Sequence, residues 1–317
     1  MNNKNRFIIF SVVIIVLIIV SFSSLIVTAD TKISQNIIRD NSSSNIEENK
    51  ISTKKLNNIL ENRKIKVLID PGHNAATKGA IGFLGYEYYV NLRLARELAK
   101  ILDEDDKFEY FLSRDGAYYN REIKEYMTNN YEKLLGIYNV NLEKEKRGEN
   151  LTRYQTLELY AIRHYAIDNN FDLLLSIHFD YMPYASRREK TSGFHIIVSP
   201  YNGEFSASMQ VAYKLSKRMQ EEYNISPVIG HDMVLPNTVW RFYDKEELIK
   251  EGISLRGLIV IGDSFENSYY KKEIRKDIPS VLVESAFIHE WKFGSTKELK
   301  KLANKMYESL VDVYITK

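Results

Sequence analysis

The chain has 317 residues, 44% of them hydrophobic, which allows one or two domains with a full core. The formal net charge is +2, and Lys4 and Arg6 are the only charged residues before Ala29, so the remainder is close to neutral and a nucleic-acid partner is not expected. There is no cysteine, which excludes disulfides, thiolate metal sites and a cysteine nucleophile, and leaves any metal to Asp, Glu and six histidines.

Lys4 and Arg6 stand before an apolar run from Phe7 to Val20, which continues more weakly through Phe22, Leu25 and Ile26. Val27-Thr28-Ala29 offers small residues for a signal peptidase just before Asp30. Residues 1–29 are therefore expected to be a signal peptide or, uncut, an N-terminal membrane anchor. Phe7 to Thr28 is long enough to span a bilayer, with the positive end in the cytoplasm. Both cases export the remainder, to a periplasmic or extracellular position, with membrane contact only through this segment. Residues 30–63 are rich in Asn, Ser, Lys and Ile, and Asn41 to Asn45 lacks any apolar period. They read as a flexible linker, with a short helix near Leu56 to Leu60.

The folded domain is expected over 64–317. Three apolar runs are unbroken: Val67-Leu68-Ile69, Leu173-Leu174-Leu175 with Ile177, and Val281-Leu282-Val283. Unbroken runs suit strands covered on both faces, as in a parallel sheet between helices. Phe108 to Ser113 and Phe194 to Ser199 are further strand candidates. Helical spacing recurs in Val90, Leu94, Leu98 and Ile101, in Leu157, Ala161 and Tyr165, and in Val211, Leu215 and Met219. Leu302, Met306, Leu310 and Val313 close the chain as a final helix. Strands alternating with helices predict an α/β fold.

Each unbroken run leads into an ionisable residue: His73 after Asp70-Pro71-Gly72, His178 after Ser176-Ile177, and Glu284 directly. In open α/β sheets, ligands bind beyond the carboxyl ends of the strands. Pro71, Gly72, Gly79, Gly82 and Gly85 mark a loop after the first strand, so the helix from about Tyr86 starts at the same rim with Glu87 in its first turn. Singly, such a Glu complements a helix dipole and such a His is a hydrogen-bonded structural residue. Jointly, two His and two Glu on one rim suit a catalytic divalent ion with water in the fourth place, and a further carboxylate to move a proton. The residues His73, Glu87 and His178 are assigned to the metal and Glu284 to proton transfer. Composition alone leaves open which of Glu87 and Glu284 is the ligand.

The segment Val67 to His73 resembles the opening motif of the zinc-dependent N-acetylmuramoyl-L-alanine amidases. So do Gly79-Ala80 and Gly82 before Glu87, and Asn91-Leu92 after it. Leu112-Ser113-Arg114-Asp115, Arg163, Asp172 to His178, Arg256-Gly257 and Pro279 to Glu284 resemble later motifs in the same order, so the resemblance runs from about Lys66 to the C-terminus. It implies one Zn2+ held by His73, Glu87 and His178, with Glu284 catalytic. It implies peptidoglycan as substrate, cut between N-acetylmuramic acid and L-alanine. The fold implied is a twisted, mostly parallel (mixed) sheet flanked by helices on both faces, in a single catalytic domain. Departures from the family pattern fall at Asn74, Phe179-Asp180, Ser285-Ala286-Phe287 and His289-Glu290, and bear on substrate preference.

Two stretches read as insertions. Residues 116–156, with helical spacing around Ile123 to Leu135, suit a solvated helical decoration, or more sharply a lid or a docking arm for a regulatory protein partner. Residues 229–253 contain His231, Asp232, Trp240, Arg241 and Tyr243; Trp240 or Tyr243 would stack on sugars, and His231 is an alternative metal contact. The residues His164, His195 and His289 read as structural. The rival functions are a zinc carboxypeptidase acting on stem peptides, with Arg114, Arg241 or Arg256 binding its carboxylate, and a non-catalytic wall-binding or activator module, for which Glu284 would have no use.

Overall fold

The computed structural model describes residues 63–143, 151–182, 191–229, 233, 243–263 and 276–316, and Lys64–Lys317 forms one compact unit. The segment 1–29, the linker up to residue 62, and His231, Asp232, Trp240 and Arg241 lie outside the described residues. Among the described residues, no helix is long and apolar enough to cross a membrane.

The unbroken apolar runs form the middle of one six-stranded sheet. Strands β1 (Ile65–Pro71), β4 (Phe108–Leu112), β5 (Leu173–Asp180) and β8 (Ser280–Phe287) run parallel, in the order β4-β1-β5-β8. Strand β6 (His195–Val198) pairs antiparallel with β8, and β7 (Ile253–Leu255) pairs parallel with β6 at the edge. Val67, Leu68 and Ile69 are fully buried, as are Leu173, Leu174 and Leu175. That two-sided burial is why these runs do not alternate. A small hairpin, β2 (Ile81–Gly82) with β3 (Gly85–Tyr86), separates β1 from the first helix.

Alternation along each strand sends Leu68, Leu174, Ile197 and Leu282 to one face. Helix α4 (Arg153–Asp168) covers that face through Leu157, Tyr160 and Ala161, backed by α2 (Arg121–Asn129) and α3 (Tyr131–Glu143). A 3-10 turn, Ile259–Ile261, completes this layer. The start of α4 is fixed by a capping box in which Thr152 and Gln155 satisfy each other's backbone N–H groups. On the opposite face, α1 (Glu87–Asp103) packs on β1 and β5, and α5 (Phe205–Gln220) on β6 and β8. The last helix, α7 (Thr296–Tyr314), rests on both α1 and α5. The short α6 (Lys245–Lys250) precedes β7 and begins at Asp244, whose carboxylate accepts from the Glu246 and Glu247 N–H groups. The sheet is thus mixed and mostly parallel, with helices on both faces.

Two features differ from the sequence expectation. Helices α2 and α3 are not a solvated decoration, since Ile123, Met127, Leu134 and Ile137 are buried against α4. Strand β7 falls at the end of a stretch read as an insertion; three residues are too few to show a strand period.

Candidate functional site

Strand register builds the rim. Pro71 pairs with Ile177 on β5, and the next residue on β5, His178, pairs with Glu284 on β8. The Gly72 N–H then donates to Ile177 O at 2.9 Å, carrying the chain from β1 across the end of β5. His73 follows in a left-handed conformation at φ 62°, unusual for a residue with a Cβ. Surrounding contacts hold it there. The guanidinium of Arg114, fully buried, donates to the carbonyls of Pro71 at 2.9 Å, Gly72 at 3.1 Å, Tyr88 at 2.6 Å and Gly116 at 3.0 Å. Beneath it, Asp70 accepts from the hydroxyls of Ser113 at 2.6 Å and Ser176 at 3.0 Å. Two glycines are required by close approach: a Cβ on Gly72 would overlap the His178 imidazole, and one on Gly79, at φ 67°, would overlap Glu87.

Glu87 opens α1 and sits between the two imidazoles, 3.2 Å from His73 Nε2 and 3.0 Å from His178 Nδ1. One donor atom from each of the three lies within 4.8 Å of the others. Two imidazole nitrogens and one carboxylate oxygen at this spacing fit a divalent cation with an open position. Backbone and side-chain donors orient the carboxylate: Ala80 N at 2.9 Å, Asn91 Nδ2 at 3.3 Å and Phe179 N at 3.4 Å. Burial alone would raise the Glu87 carboxyl, but hydrogen bonds with His178 and His73 outweigh it and hold the group well below the usual carboxylate range.

Glu284 faces the same cavity, of about 260 Å³, whose lining also includes His73, His178, Arg256 and Glu158. Its Oε2 has no hydrogen-bond partner among the described residues. Burial pushes this carboxyl well above its ordinary range; the negative charges of Asp180 and Glu87 add to the rise, and Arg256 opposes it. All four residues singled out from the sequence therefore meet at one rim.

Several neighbours were not legible beforehand. His195, read as a structural strand residue, pairs across the ladder with Glu284, and its Nδ1 lies 3.9 Å from Asp180 Oδ2. The antiparallel entry of β6 puts it there, which no local pattern encodes. Asp180 had a usable signal, a carboxylate two residues beyond His178. Asn74, a departure from the family pattern, is buried; its Oδ1 accepts from Ala76 N at 2.8 Å and Thr77 N at 3.1 Å, and its side chain bonds Glu158 and Tyr119. His164 is buried in α4, and His289 contacts Thr191 O at 2.9 Å. Tyr243, expected in the groove, packs edge-on against Phe205 and does not line the cavity.

Residues 67–315 match the family model described as N-acetylmuramoyl-L-alanine amidase. None of the curated proteins matches this chain. Among solved structures, the Ami1 amidase of Mycobacterium smegmatis is 16% identical, with 80% of this chain and 99% of that one covered at a TM-score of 0.49. The catalytic domain of CwlV from Bacillus (Paenibacillus) polymyxa var. colistinus is 17% identical, covering 80% and 99%, with a TM-score of 0.47. The CwlD amidase of Clostridioides difficile, solved in complex with the GerS lipoprotein, is 15% identical, covering 79% and 98%, with a TM-score of 0.48.

Proposed function

This chain belongs to the N-acetylmuramoyl-L-alanine amidase family and is a peptidoglycan amidase; on that premise we propose that His73, Glu87 and His178 hold one Zn2+ and that Glu284 moves the proton. The observation that carries the reading is the convergence of three ligand atoms within 4.8 Å, beside a cavity lined by His73, His178 and Glu284. When bound, zinc supplies a Lewis acid that polarises the scissile carbonyl and lowers the pKa of a water towards ~7. Glu284 takes the proton of the attacking water and delivers it to the leaving nitrogen of L-alanine, so the amide is cut between N-acetylmuramic acid and the peptide. Its raised pKa makes it a stronger base towards the proton of the water than an ordinary carboxylate. Asn91, Ala80 N and Phe179 N keep Glu87 aimed, and Arg114 keeps the His73 loop in place.

The carboxypeptidase reading loses one of its arginines, since Arg114 is buried and engaged with four carbonyls. Arg256 lines the cavity, but its charge acts on Glu284. Incubating the purified chain with muropeptides and weighing the products tests the assignment. Free glycan with an intact peptide beginning at L-alanine is expected; loss of a terminal D-alanine alone would overturn it.

The placement of the enzyme belongs to the same reading. Residues 1–29 export or anchor the chain, supported by Lys4, Arg6 and the apolar run after them. Residues 30–63 tether a catalytic domain over 64–317. The 116–156 stretch would meet a regulatory protein partner through Tyr118, Tyr131 and Tyr154, which are exposed.

A further inference from the structure

The cavity at the rim does not end at the proposed metal ligands. It continues along the start of α4 and the 3-10 turn, between walls that include Leu151, Leu159, Ile197, Leu258 and Ile259. One carboxylate interrupts this apolar wall. Glu158 is 7% exposed, is held by the Asn74 side chain, and feels Lys124 as the nearby positive charge. Among the described residues it forms no ion pair. The proposed catalytic steps have no use for it.

A buried carboxylate without an ion-pair partner costs free energy, and a ligand that brings a positive charge into contact offsets that cost. Burial has raised the Glu158 carboxyl to about 7, against the lowering pull of Asn74 and Lys124. Arg256, which lines the cavity, acts on Glu284 instead. An apolar stretch of wall interrupted by a buried acid complements an aliphatic chain tipped by an ammonium group.

We propose that this cavity takes an alkylammonium side chain from the substrate's peptide, with the methylene chain against the apolar wall and the charged end on Glu158, so that the enzyme prefers stem peptides containing a diamino acid. The inference rests on the amidase reading for the identity of the peptide, but the subsite itself is a matter of binding. Tyr119 and Leu151 also line the cavity and come from the 116–156 stretch, which would make that stretch part of substrate selection.

The test uses two soluble muropeptides that differ only in a free or N-acetylated side-chain amine. Their affinities are measured on the zinc-loaded full chain carrying Glu284→Gln, which holds substrate without turnover. The free amine is expected to bind roughly ten- to a hundredfold tighter. Adding Glu158→Gln should lower the affinity of the free-amine ligand alone and bring the two together. Equal affinities before that substitution, a comparison needing no change at Glu158, would overturn the proposal. So would an equal loss for both ligands after it, which would reduce Glu158 to a support for the His73 loop. Turnover of the same pair by the wild-type chain separates the two readings: a binding preference without hydrolysis of either ligand supports the subsite and removes the amidase. Hydrolysis of both with equal kcat/KM and equal affinity removes the subsite and keeps the amidase.

Discussion

The backbone of Gly72 lies directly against the imidazole of His178, so close that a Cβ at position 72 would overlap Nε2 and Cε1 of the ring. The loop that carries His73 is therefore stacked on the side chain of its proposed fellow ligand, and neither can shift alone. Gly72→Ala should displace His178 and lower zinc affinity by roughly ten- to a hundredfold, the usual effect of disturbing the shell around metal ligands. Competition with a chelator reads this directly. An unchanged affinity would mean that the loop relaxes at no cost to the ligand set.

Metal removal follows from the same triad. Glu87 is flanked by two imidazoles, and a bound cation stabilises only the folded arrangement. Zinc at about a thousand times its Kd should raise stability by about 4 kcal/mol, and a chelator should remove that increment together with turnover. The thermal midpoint of wild type should rise with zinc concentration, while that of His73→Ala should stay flat. A zinc-dependent midpoint in His73→Ala would place the ion elsewhere.

In the proposed mechanism Glu284 must be deprotonated to accept a proton, so it should set the acidic limb of activity. Burial raises its pKa most, Asp180 and Glu87 raise it further, and Arg256 lowers it. Asp180→Asn removes a raising charge, so the limb of kcat/KM should move to lower pH; Arg256→Gln removes a lowering one and should move it higher, each by up to about one unit. Glu284→Gln should keep its zinc and lose turnover. If both charge variants leave the profile in place, a different group limits the rate at low pH.

The strand ends, and with them His73, His178 and Glu284, were legible because parallel strands buried on both faces leave unbroken apolar runs that point at their own carboxyl ends. Glu87 was legible from the glycines around it, which could only be a turn between β1 and a helix at the same rim. What escaped notice depends on long-range pairing. His195 reaches the site through an antiparallel register with β8, and β7 has only three residues. The core role of α2 and α3 was hidden by a polar composition that reads as solvated until α4 is seen to cover Ile123, Met127, Leu134 and Ile137. Nothing in the local pattern marks Glu158, because its neighbours Asn74 and Lys124 come from other elements.

The burial of Glu158 has a consequence for stability apart from any ligand. The Glu158 pKa is raised to about 7 from 4.5, so the folded chain holds its proton more tightly than the unfolded one. The stabilising effect of the bound proton is present in full below pH 4.5 and is lost as pH rises through about 7. Glu158→Gln, which cannot ionise, should match wild type near pH 4.5 and be more stable above pH 7, by on the order of 3 kcal/mol. Denaturation at the two pH values, on the metal-free chain, measures the difference. A constant gap between the two proteins would show that Glu158 does not titrate in this range.

A buried ion pair lies at the far end of β8 from Glu284. Arg163 Nη2 lies 2.7 Å and 2.8 Å from the two carboxylate oxygens of Asp277, with both side chains almost fully buried. Asp277 also accepts from Ile278 N at 2.9 Å and Gly203 N at 2.7 Å, so it ties α4 to the lead-in of β8 and to the turn before α5. A buried ion pair gains little over an apolar pair of the same shape, but removing one partner strands the other charge. Arg163→Met should therefore destabilise the fold by about 3–5 kcal/mol, while zinc affinity in the surviving folded protein stays unchanged. Adding Asp277→Asn should recover part of that loss, because the stranded carboxylate is then neutral, although its single amide oxygen can accept from only one of the two backbone donors, Ile278 N and Gly203 N. Denaturant melts of the two single variants and the double variant give the coupling. Strictly additive losses would show that the two side chains act independently, and a fall in zinc affinity would show that the strain travels along β8 to the rim.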